Sequence, residues 1–289
     1  MPEVIIGARP VGDGHPCFIV AEIGINHNGD LAVAKQLIDM AVSAGCDAVK
    51  FQKRTIELCY TSAELAQARE SPWGSTNGDQ KRGLEFGRPE FDEIDAYCKE
   101  KGILWFASPW DEPSIDFLEV YDPPCYKIAS PRVRGEDTFL KYLRGTGRPL
   151  IMSTGACEES HVRHAVDILG TEDLILMHCV LTYPISSEHL NLRMVQTLRD
   201  WFPSVPVGYS GHEVGEPTSV MAAVLGACSV ERHITLSRAM YGSDQAASLE
   251  PSGLDRLVRD IRTWERAAGD GVKRILPSEE VNLQKLRRK

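Results

Sequence analysis

The sequence lacks the cysteine pairs, long apolar runs and leader segments that mark several large protein classes. Its eight cysteines stand singly with no C-x-x-C pair, which disfavours structural zinc and predicts reduced, buried thiols. No apolar run is long enough to cross a bilayer, and the N-terminus lacks the charged and apolar regions of a secretory signal. We therefore expect a cytoplasmic protein with no membrane contact.

A basic surface is also missing. The net charge of −9 over 289 residues argues against general nucleic-acid binding, so any anionic ligand must be held by a local group of lysines. The sequence has no glycine-rich loop of the G-x-G-x-x-G or P-loop kind that would indicate a nucleotide-binding fold. With 43% hydrophobic and 25% charged residues, the composition is that of a globular protein with a sizeable core.

What the chain does contain is an eightfold alternation of apolar strands and amphipathic helices. Residues 18–24 predict a buried strand, and residues 30–44 predict a helix because apolar residues recur at helical spacing. The other strands are predicted at residues 47–52, 104–110, 125–130, 149–155, 174–180, 206–212 and 229–234. Near-continuous apolar strands are typical of parallel sheets covered on both faces, and eight such units predict a (β/α)8 TIM barrel rather than an open doubly wound sheet.

The segments outside this alternation define the expected domain organisation. We expect one barrel domain over residues 1–289, with an N-terminal hairpin in 1–17, a long connection at 53–88 and a basic tail at 276–289. The connection is far longer than a usual βα loop, and connections of that length are functional lids or disordered segments. The last helix is predicted at residues 251–268, and the tail leaves no room for a second domain.

Polar and charged residues collect at the C-terminal ends of the strands, where such barrels build their active sites. In chain order they are Glu22, Lys50, Gln52, Ser108, Lys127, Ser130, Ser153, Tyr183, Ser210, His212, Glu231 and His233, with Asn77 in the long connection and Asp244 after the last strand. Singly, each has an ordinary structural role, since strand-end serines satisfy backbone groups and strand lysines reach the rim. Jointly, unpaired burial of these charges would cost several kcal/mol each, which an anionic ligand and a divalent cation would balance.

The residue types indicate a chemistry. His212 and His233 are either satisfied core residues or a seat for a divalent metal, with Glu231 expected to orient a ligand rather than to bind the metal. Two lysines and several hydroxyls suit a small molecule that carries both carboxylate and phosphate. A metal polarises a carbonyl oxygen or a water, and a glutamate moves a proton. Together these residues predict condensation of an enol phosphate with an aldehyde.

Eight short motifs, in order along nearly the whole chain, resemble the sialic acid synthase family. They are AEIGINHNGD, VKFQ, FASPW, YKIAS, STG, CVxxYP, GYSGH and ERHI. The family makes N-acetylneuraminate, pseudaminate, legionaminate and related nonulosonates. The resemblance implies a barrel enzyme that condenses phosphoenolpyruvate with an open-chain N-acylated hexose, with Mn²⁺ or Mg²⁺ as the metal. It also implies that C3 of the enol attacks the aldehyde, water adds at C2, and phosphate leaves by C–O cleavage.

The same resemblance implies roles for individual residues. His212 and His233 correspond to the metal ligands, and Glu22 corresponds to the acid/base that also orients the acceptor. The phosphoenolpyruvate site corresponds to Lys50, Gln52, Ser108, Lys127, Ser130, Ser153 and Ser210. Tyr183, Asp244 and Asn77 correspond to contacts with the acceptor sugar.

The chain departs from the family at two points. Relatives continue into a small antifreeze-like domain that supplies an arginine to the partner subunit's acceptor site, whereas this sequence stops at Lys289, and Leu181 stands where relatives have a polar residue. We expect a homodimer, and the contact to the N-acyl group is either absent, supplied by another chain such as a separately encoded antifreeze-like domain, or replaced by the loop at residues 73–79. Two alternatives remain, a non-catalytic barrel that needs a partner domain and a 3-deoxy-ulosonate phosphate synthase with Arg132 and Arg134 on the acceptor phosphate.

Overall fold

The structure is a computed structural model that describes residues 2–287. Its strands are β1 Glu3–Ile6, β2 Arg9–Gly12, β3 Phe18–Gly24, β4 Ala48–Lys53, β5 Ala68–Ser71, β6 Gly74–Thr76, β7 Leu104–Pro109, β8 Tyr126–Ile128, β9 Leu150–Ser153, β10 Leu174–Cys179, β11 Val207–Gly211 and β12 Ser229–His233. Its α-helices are α1 Leu31–Ala44, α2 Ile56–Cys59, α3 Ser62–Leu65, α4 Asn77–Leu84, α5 Arg88–Lys101, α6 Glu112–Glu119, α7 Asp137–Gly145, α8 Glu159–Leu169, α9 Met194–Trp201, α10 Pro217–Val224, α11 Pro251–Ala267 and α12 Pro277–Leu286.

Eight of the strands close into a parallel barrel, which confirms the predicted (β/α)8 fold. The order around the barrel is β3, β4, β7, β8, β9, β10, β11 and β12, so each strand pairs with its neighbours in sequence and β12 closes onto β3. Parallel strands covered on both faces need apolar residues at nearly every position. Strand β3 meets that condition, since all seven of its residues are buried.

The interior of the barrel is apolar at its lower end and polar at its upper end. Phe18, Val20 and Glu22 alternate along β3 and therefore face the same way. Phe18 and Val20 belong to an apolar cluster that includes Val4 and Val11 of the β1–β2 hairpin, which therefore packs against the lower end. Glu22, one step higher, is the first charged side chain of that row and is 1% exposed.

The long connection after β4 and the C-terminal segment carry more structure than the sequence predicted. The connection folds into α2, α3, the β5–β6 hairpin and α4, so it is ordered and packs over part of the barrel mouth. Helix α11 is not the last helix, because α12 follows it, and α12 has no buried residue. Within residues 2–287, no helix is both long and apolar enough to cross a membrane.

Candidate active site

A pocket of about 240 Å³ opens at the C-terminal ends of the barrel strands. It brings together all but one of the predicted site residues, namely Glu22, Lys50, Gln52, Ser108, Lys127, Ser130, Ser153, Tyr183, Ser210, His212, Glu231, His233 and Asp244. The strand register explains the convergence, because Glu22 lies opposite Lys50 on β4 and opposite His233 on β12. The site is therefore built on the rigid wall of the barrel.

Lys50 is held between two carboxylates at the centre of the pocket. Its Nζ lies 3.0 Å from Glu22 Oε2 and 3.4 Å from Glu231 Oε1, and it donates to Ser108 Oγ at 3.1 Å. Burial opposes its charge, but the two carboxylates outweigh burial and raise the pKa of Lys50. Burial also raises the pKa of Glu22, whereas Lys127 and Lys50 overcome burial and lower the pKa of Glu231 to about 2. Glu231 is therefore the ionised partner and Glu22 the carboxyl that holds a proton more readily.

Lys127 is the second buried lysine, and its direct contacts are with uncharged groups. Its ammonium contacts the Ser153 hydroxyl and donates to the Ile128 carbonyl at 3.3 Å. Among residues 2–287, no carboxylate lies within salt-bridge distance of Lys127, and burial lowers its pKa. A buried ammonium with no carboxylate in direct contact is costly, so this end of the pocket favours an anionic ligand.

Two glycines let the chain approach these groups closely. Gly24 follows Glu22 at a β-bulge with a φ of 54°, and a Cβ there would lie 3.0 Å from Glu22 Oε1. Gly155 donates its backbone N–H to Ser130 Oγ at 3.0 Å, and a Cβ there would lie 2.6 Å from that oxygen. Larger residues would therefore push Glu22 and Ser130 away from their present positions.

His212 and His233 lie side by side at the mouth, with ring centroids 5.5 Å apart. His212 Nδ1 is 2.7 Å from the Val180 carbonyl oxygen, so Nδ1 carries the proton and Nε2 keeps its lone pair. Burial, followed by the neighbouring His233, lowers the pKa of His212 to about 3, which keeps its ring neutral. His233 Nδ1 is buried without a hydrogen-bond partner, and Asp244 Oδ2 is 3.7 Å from it.

The two histidines supply only part of the ligand set that a divalent cation needs. Neutral imidazoles with open nitrogens are suitable ligands for Mn²⁺ and similar metals. In the part of the chain that the structure describes, no group of three or more His, Cys, Asp or Glu residues is placed to hold an ion by itself. A cation seated on His212 and His233 would therefore need further oxygen ligands from substrate or water. Tyr183 stacks on His212 with ring centroids 3.8 Å apart and covers one side of that ring.

Asn77, which is predicted to contact the acceptor, does not line this pocket. It is the first residue of α4, where its side-chain amide donates to the Glu64 carbonyl at 3.1 Å. The arginines proposed for the alternative synthase are also elsewhere. Arg132 pairs with Glu136 at 3.0 Å, Arg134 Nη1 is 3.4 Å from the Ala156 carbonyl oxygen, and neither lines the pocket.

Sequence reasoning also missed several residues that line the pocket, and four of them have large charged or aromatic side chains. Arg54 and Trp110 follow the ends of β4 and β7, while Tyr60 and Lys81 come from the long connection. Arg54 carried a usable signal, because it continues the every-second-residue alternation of Lys50 and Gln52. Lys81 carried none, since its position depends on how the long connection folds.

Comparison with known proteins finds similarity along the whole barrel. The sequence matches the NeuB family over residues 37–273. N-acetylneuraminate-9-phosphate synthase from Homo sapiens is 41% identical over 285 residues, which cover 96% of this chain and 78% of the human protein. N,N'-diacetyllegionaminic acid synthase from Legionella pneumophila is 37% identical, with 95% of this chain and 80% of that protein covered.

A solved structure shows the same architecture. N-acetylneuraminic acid synthetase from Leptospira borgpetersenii, determined in complex with citrate, superimposes with a TM-score of 0.86 at 32% identity. The match covers 99% of this chain and 98% of the Leptospira chain. The resemblance seen in the short motifs therefore extends to the complete fold.

Proposed function

Because this chain belongs to the NeuB family, we propose that it joins phosphoenolpyruvate to an open-chain N-acyl hexosamine or similar aldose, giving a sialic-type nonulosonic acid and phosphate. The relatives in Homo sapiens and Legionella pneumophila are named as synthases of such acids. The observation that carries the proposal is the pair of buried lysines, Lys50 and Lys127, beside two histidines in one pocket. A small anion that carries both carboxylate and phosphate suits this arrangement, because no carboxylate among residues 2–287 contacts Lys127 directly.

The lysine end of the pocket would hold phosphoenolpyruvate. Lys127, the Ser153 hydroxyl and Ser130 form one group of donors, and Lys50 with Ser108 forms another on the neighbouring strands. A molecule that carries both carboxylate and phosphate can use both groups at once, because charge-assisted hydrogen bonds are the strong ones. Filling this end would supply the counter-charge that Lys127 lacks.

The histidine end would hold the aldehyde. A divalent cation such as Mn²⁺ or Mg²⁺, seated on His212 and His233, would polarise the aldehyde oxygen. Glu22, whose pKa burial raises, is suited to give that oxygen a proton as C3 of the enol attacks the aldehyde carbon. Gln52 donates to Glu22 Oε1 at 3.2 Å and fixes the orientation of the carboxyl. Water then adds at C2, the C2–O bond breaks, and phosphate leaves.

We also propose a cytoplasmic homodimer. The eight free thiols support a reducing compartment, and the family resemblance supports the dimer. Light scattering of the purified chain should give twice the monomer mass. A monomeric mass would contradict this part of the proposal.

The test of the main proposal is phosphate release from phosphoenolpyruvate. Release should require a divalent metal and a suitable aldose together, and mass spectrometry should find the adduct of the enol carbons with the acceptor. A panel of N-acyl-mannosamine-type aldoses, both free and phosphorylated, identifies which acceptor the protein uses. No release across the whole panel, from protein that binds phosphoenolpyruvate and manganese, would favour the non-catalytic barrel.

A further inference from the structure

A buried amide lies just outside the histidine end of the pocket. Asn26 follows strand β3, is 1% exposed and does not line the pocket. Its Nδ2 donates to the Ile234 carbonyl at 2.9 Å and to the Ser248 hydroxyl oxygen at 2.8 Å. Because the Ile234 carbonyl can only accept, the orientation of the amide is determined. One side chain therefore joins the loop after β3, the end of β12 and the segment before α11.

Both contacts of Asn26 lead to residues that do line the pocket. Ile234 follows His233 directly at the end of β12. Ser248 is 2% exposed, and its hydroxyl donates to the backbone carbonyl of Asp244 at 2.7 Å. Asn26 therefore holds the peptide that follows His233 and, through Ser248, the backbone of Asp244. We call Asn26 and Ser248 the loop clamp.

The loop clamp holds two side chains that lie just beyond hydrogen-bond distance of each other. His233 Nδ1 is buried without a hydrogen-bond partner, and Asp244 Oδ2 is 3.7 Å from it. A carboxylate that accepts from one ring nitrogen of a ligating histidine fixes the tautomer and leaves the other nitrogen for the metal. His212 has an equivalent arrangement, with its Nδ1 on the Val180 carbonyl. The separation of His233 and Asp244 therefore determines whether His233 presents its Nε2 in the same way.

We propose that Asn26, partly through Ser248, is a positioning residue that holds His233 in place for metal binding and Asp244 in place for contact with the acceptor aldose. The inference rests on the proposed function and adds to it a residue that lies outside the pocket. Residues 234–250, which carry Asp244, contain a short 3-10 helix and the single β-bridge between Ile234 and Leu249. Side-chain contacts such as the loop clamp therefore carry part of the task of fixing Asp244.

The direct test is the affinity for Mn²⁺ at saturating phosphoenolpyruvate, measured from the electron paramagnetic resonance signal of the free ion. Asn26→Ala should raise the dissociation constant of Mn²⁺ by about 10- to 100-fold, as the loss of a group that orients a metal ligand does. It should also raise the KM for the aldose that supports the fastest phosphate release. The KM for phosphoenolpyruvate should not rise, because Lys50 and Lys127 lie on β4 and β8, away from the loop clamp.

Ser248→Ala separates the two contacts of Asn26. It removes the link to Asp244 and keeps the hydrogen bond from Asn26 to Ile234. We expect a rise of about 10-fold in the KM for the aldose, with a smaller loss of Mn²⁺ affinity than Asn26→Ala gives. If Asn26→Ala does not fold, Ser248→Ala still tests the inference, because an unchanged KM for the aldose in this variant would overturn it.

Ser229→Ala is the matched control. Ser229 lies at the other end of β12, is fully buried and donates to the Phe18 carbonyl at 2.8 Å, so this variant loses the same kind of hydrogen bond. Its unfolding midpoint in urea should fall as that of Asn26→Ala does, while Mn²⁺ affinity and the KM for the aldose should stay at the wild-type values.

Two results would overturn the inference and leave the proposed function standing. One is an unchanged Mn²⁺ affinity in Asn26→Ala, and the other is an equal loss of Mn²⁺ affinity in Ser229→Ala, which would show that lower stability causes the effect. No Mn²⁺ binding by the wild type would instead contradict the metal assignment of the proposed function, and the inference with it.

Discussion

Two buried charge clusters share strand β12, one inside the barrel and one in its wall. The interior cluster is Glu22, Lys50, Lys127 and Glu231. The wall cluster is centred on Arg232 and Glu213, with Tyr209, Thr218 and Ser219 as hydrogen-bonding partners. Glu231 and Arg232 are consecutive, and they enter different clusters because successive side chains of a strand point to opposite faces.

The wall cluster is nearly complete in itself. Glu213 accepts hydrogen bonds from Arg232 at 3.0 Å, from Tyr209 at 2.9 Å and from Ser219 at 2.7 Å. Arg232 also donates to the Gly215 carbonyl at 2.6 Å, and of the buried side-chain atoms of the wall cluster only Arg232 Nε lacks a hydrogen-bond partner. Burial opposes the charge of Glu213, but Arg232 and these hydrogen bonds lower its pKa. A cluster of this kind holds α10 to the barrel and needs no ligand.

The interior cluster is incomplete. Glu231 Oε2 is buried without a hydrogen bond, although Lys50 lies 3.4 Å from the other oxygen of that carboxylate, and Glu22 Oε2 lies 3.0 Å from the Lys50 ammonium. Lys127 has hydroxyl and carbonyl partners but no carboxylate within salt-bridge distance in the described part of the chain. The two clusters are both buried, but they have different roles. Satisfied charges stabilise the fold, whereas unsatisfied charges mark where a ligand is expected.

The largest difference between the clusters should appear at the adjacent residues His212 and Glu213. We expect His212→Ala to lower metal-dependent phosphate release by about 10⁴-fold, because several kcal/mol of polarisation of the aldehyde would be lost. The unfolding midpoint in urea should stay close to that of the wild type. His164→Ala, on the exposed face of α8, is the control, and undiminished turnover by His212→Ala would remove the metal assignment.

Arg232→Met should have the opposite effect, because it should lower stability and leave phosphoenolpyruvate binding unchanged. It leaves Glu213 buried without its counter-ion, so the free energy of unfolding should fall by about 3–5 kcal/mol. Urea unfolding followed by circular dichroism measures the loss. At a temperature where the variant is still folded, the KM for phosphoenolpyruvate should be near that of the wild type. A fully stable Arg232→Met protein would show that the wall cluster has no structural role.

Lys127→Met tests whether a residue of the interior cluster contributes to ligand binding without contributing to stability. It should raise the KM for phosphoenolpyruvate by about 100-fold, because a charge-assisted contact to the anion is lost. Since Lys127 has no carboxylate partner, its removal should change the free energy of unfolding by no more than about 1 kcal/mol, and a gain is expected. A stability loss as large as that of Arg232→Met would mean that the interior cluster is also structural.

The barrel itself could be predicted from the sequence because its strands are apolar on both faces and its helices carry a regular apolar stripe. Family membership is confirmed as well. Helix α1 was predicted at residues 30–44, and Asp30 proves to be the cap that accepts from the N–H groups of Ala32 and Val33. Asn191 has a φ of 48°, which is not helical, and helix α9 begins after it at Met194.

The site was predictable only where it lies on the barrel strands. Alternation fixes which side chains face inward, so Lys50 and Glu231 could be placed from the sequence alone. Asn77 and Lys81 are four residues apart on α4, yet only Lys81 lines the pocket, because the fold of the long connection orients that helix. Helix α12 was missed because its residues are all exposed. The roles of the site residues stay predictions until turnover is measured.

The smallest expected effect is at Asp111, whose carboxylate lies beside the pocket. Like Glu213 of the wall cluster, it has hydrogen-bond donors for its buried oxygens. It accepts from the Thr55 N–H at 2.7 Å, from the Thr55 hydroxyl at 2.9 Å and from the Ser114 N–H at 2.8 Å. Burial opposes its charge, but these hydrogen bonds lower its pKa below the ordinary value of 3.8. Its contribution to stability is therefore present above that value and is lost as the pH falls through the lower, folded-state pKa.

Asp111→Asn should accordingly cost about 1 kcal/mol of unfolding free energy at neutral pH, and the difference from the wild type should shrink below about pH 4. Urea titrations between pH 2.5 and 7, in steps of about half a unit, measure the difference. The pH profile of phosphate release should not change, because Asp111 does not line the pocket. If the variant instead shifts the pH profile of phosphate release and leaves stability unchanged, Asp111 acts in the reaction although its carboxylate is fully hydrogen-bonded. The hydrogen bonds of a buried charge would then no longer tell a structural residue from a residue of the site.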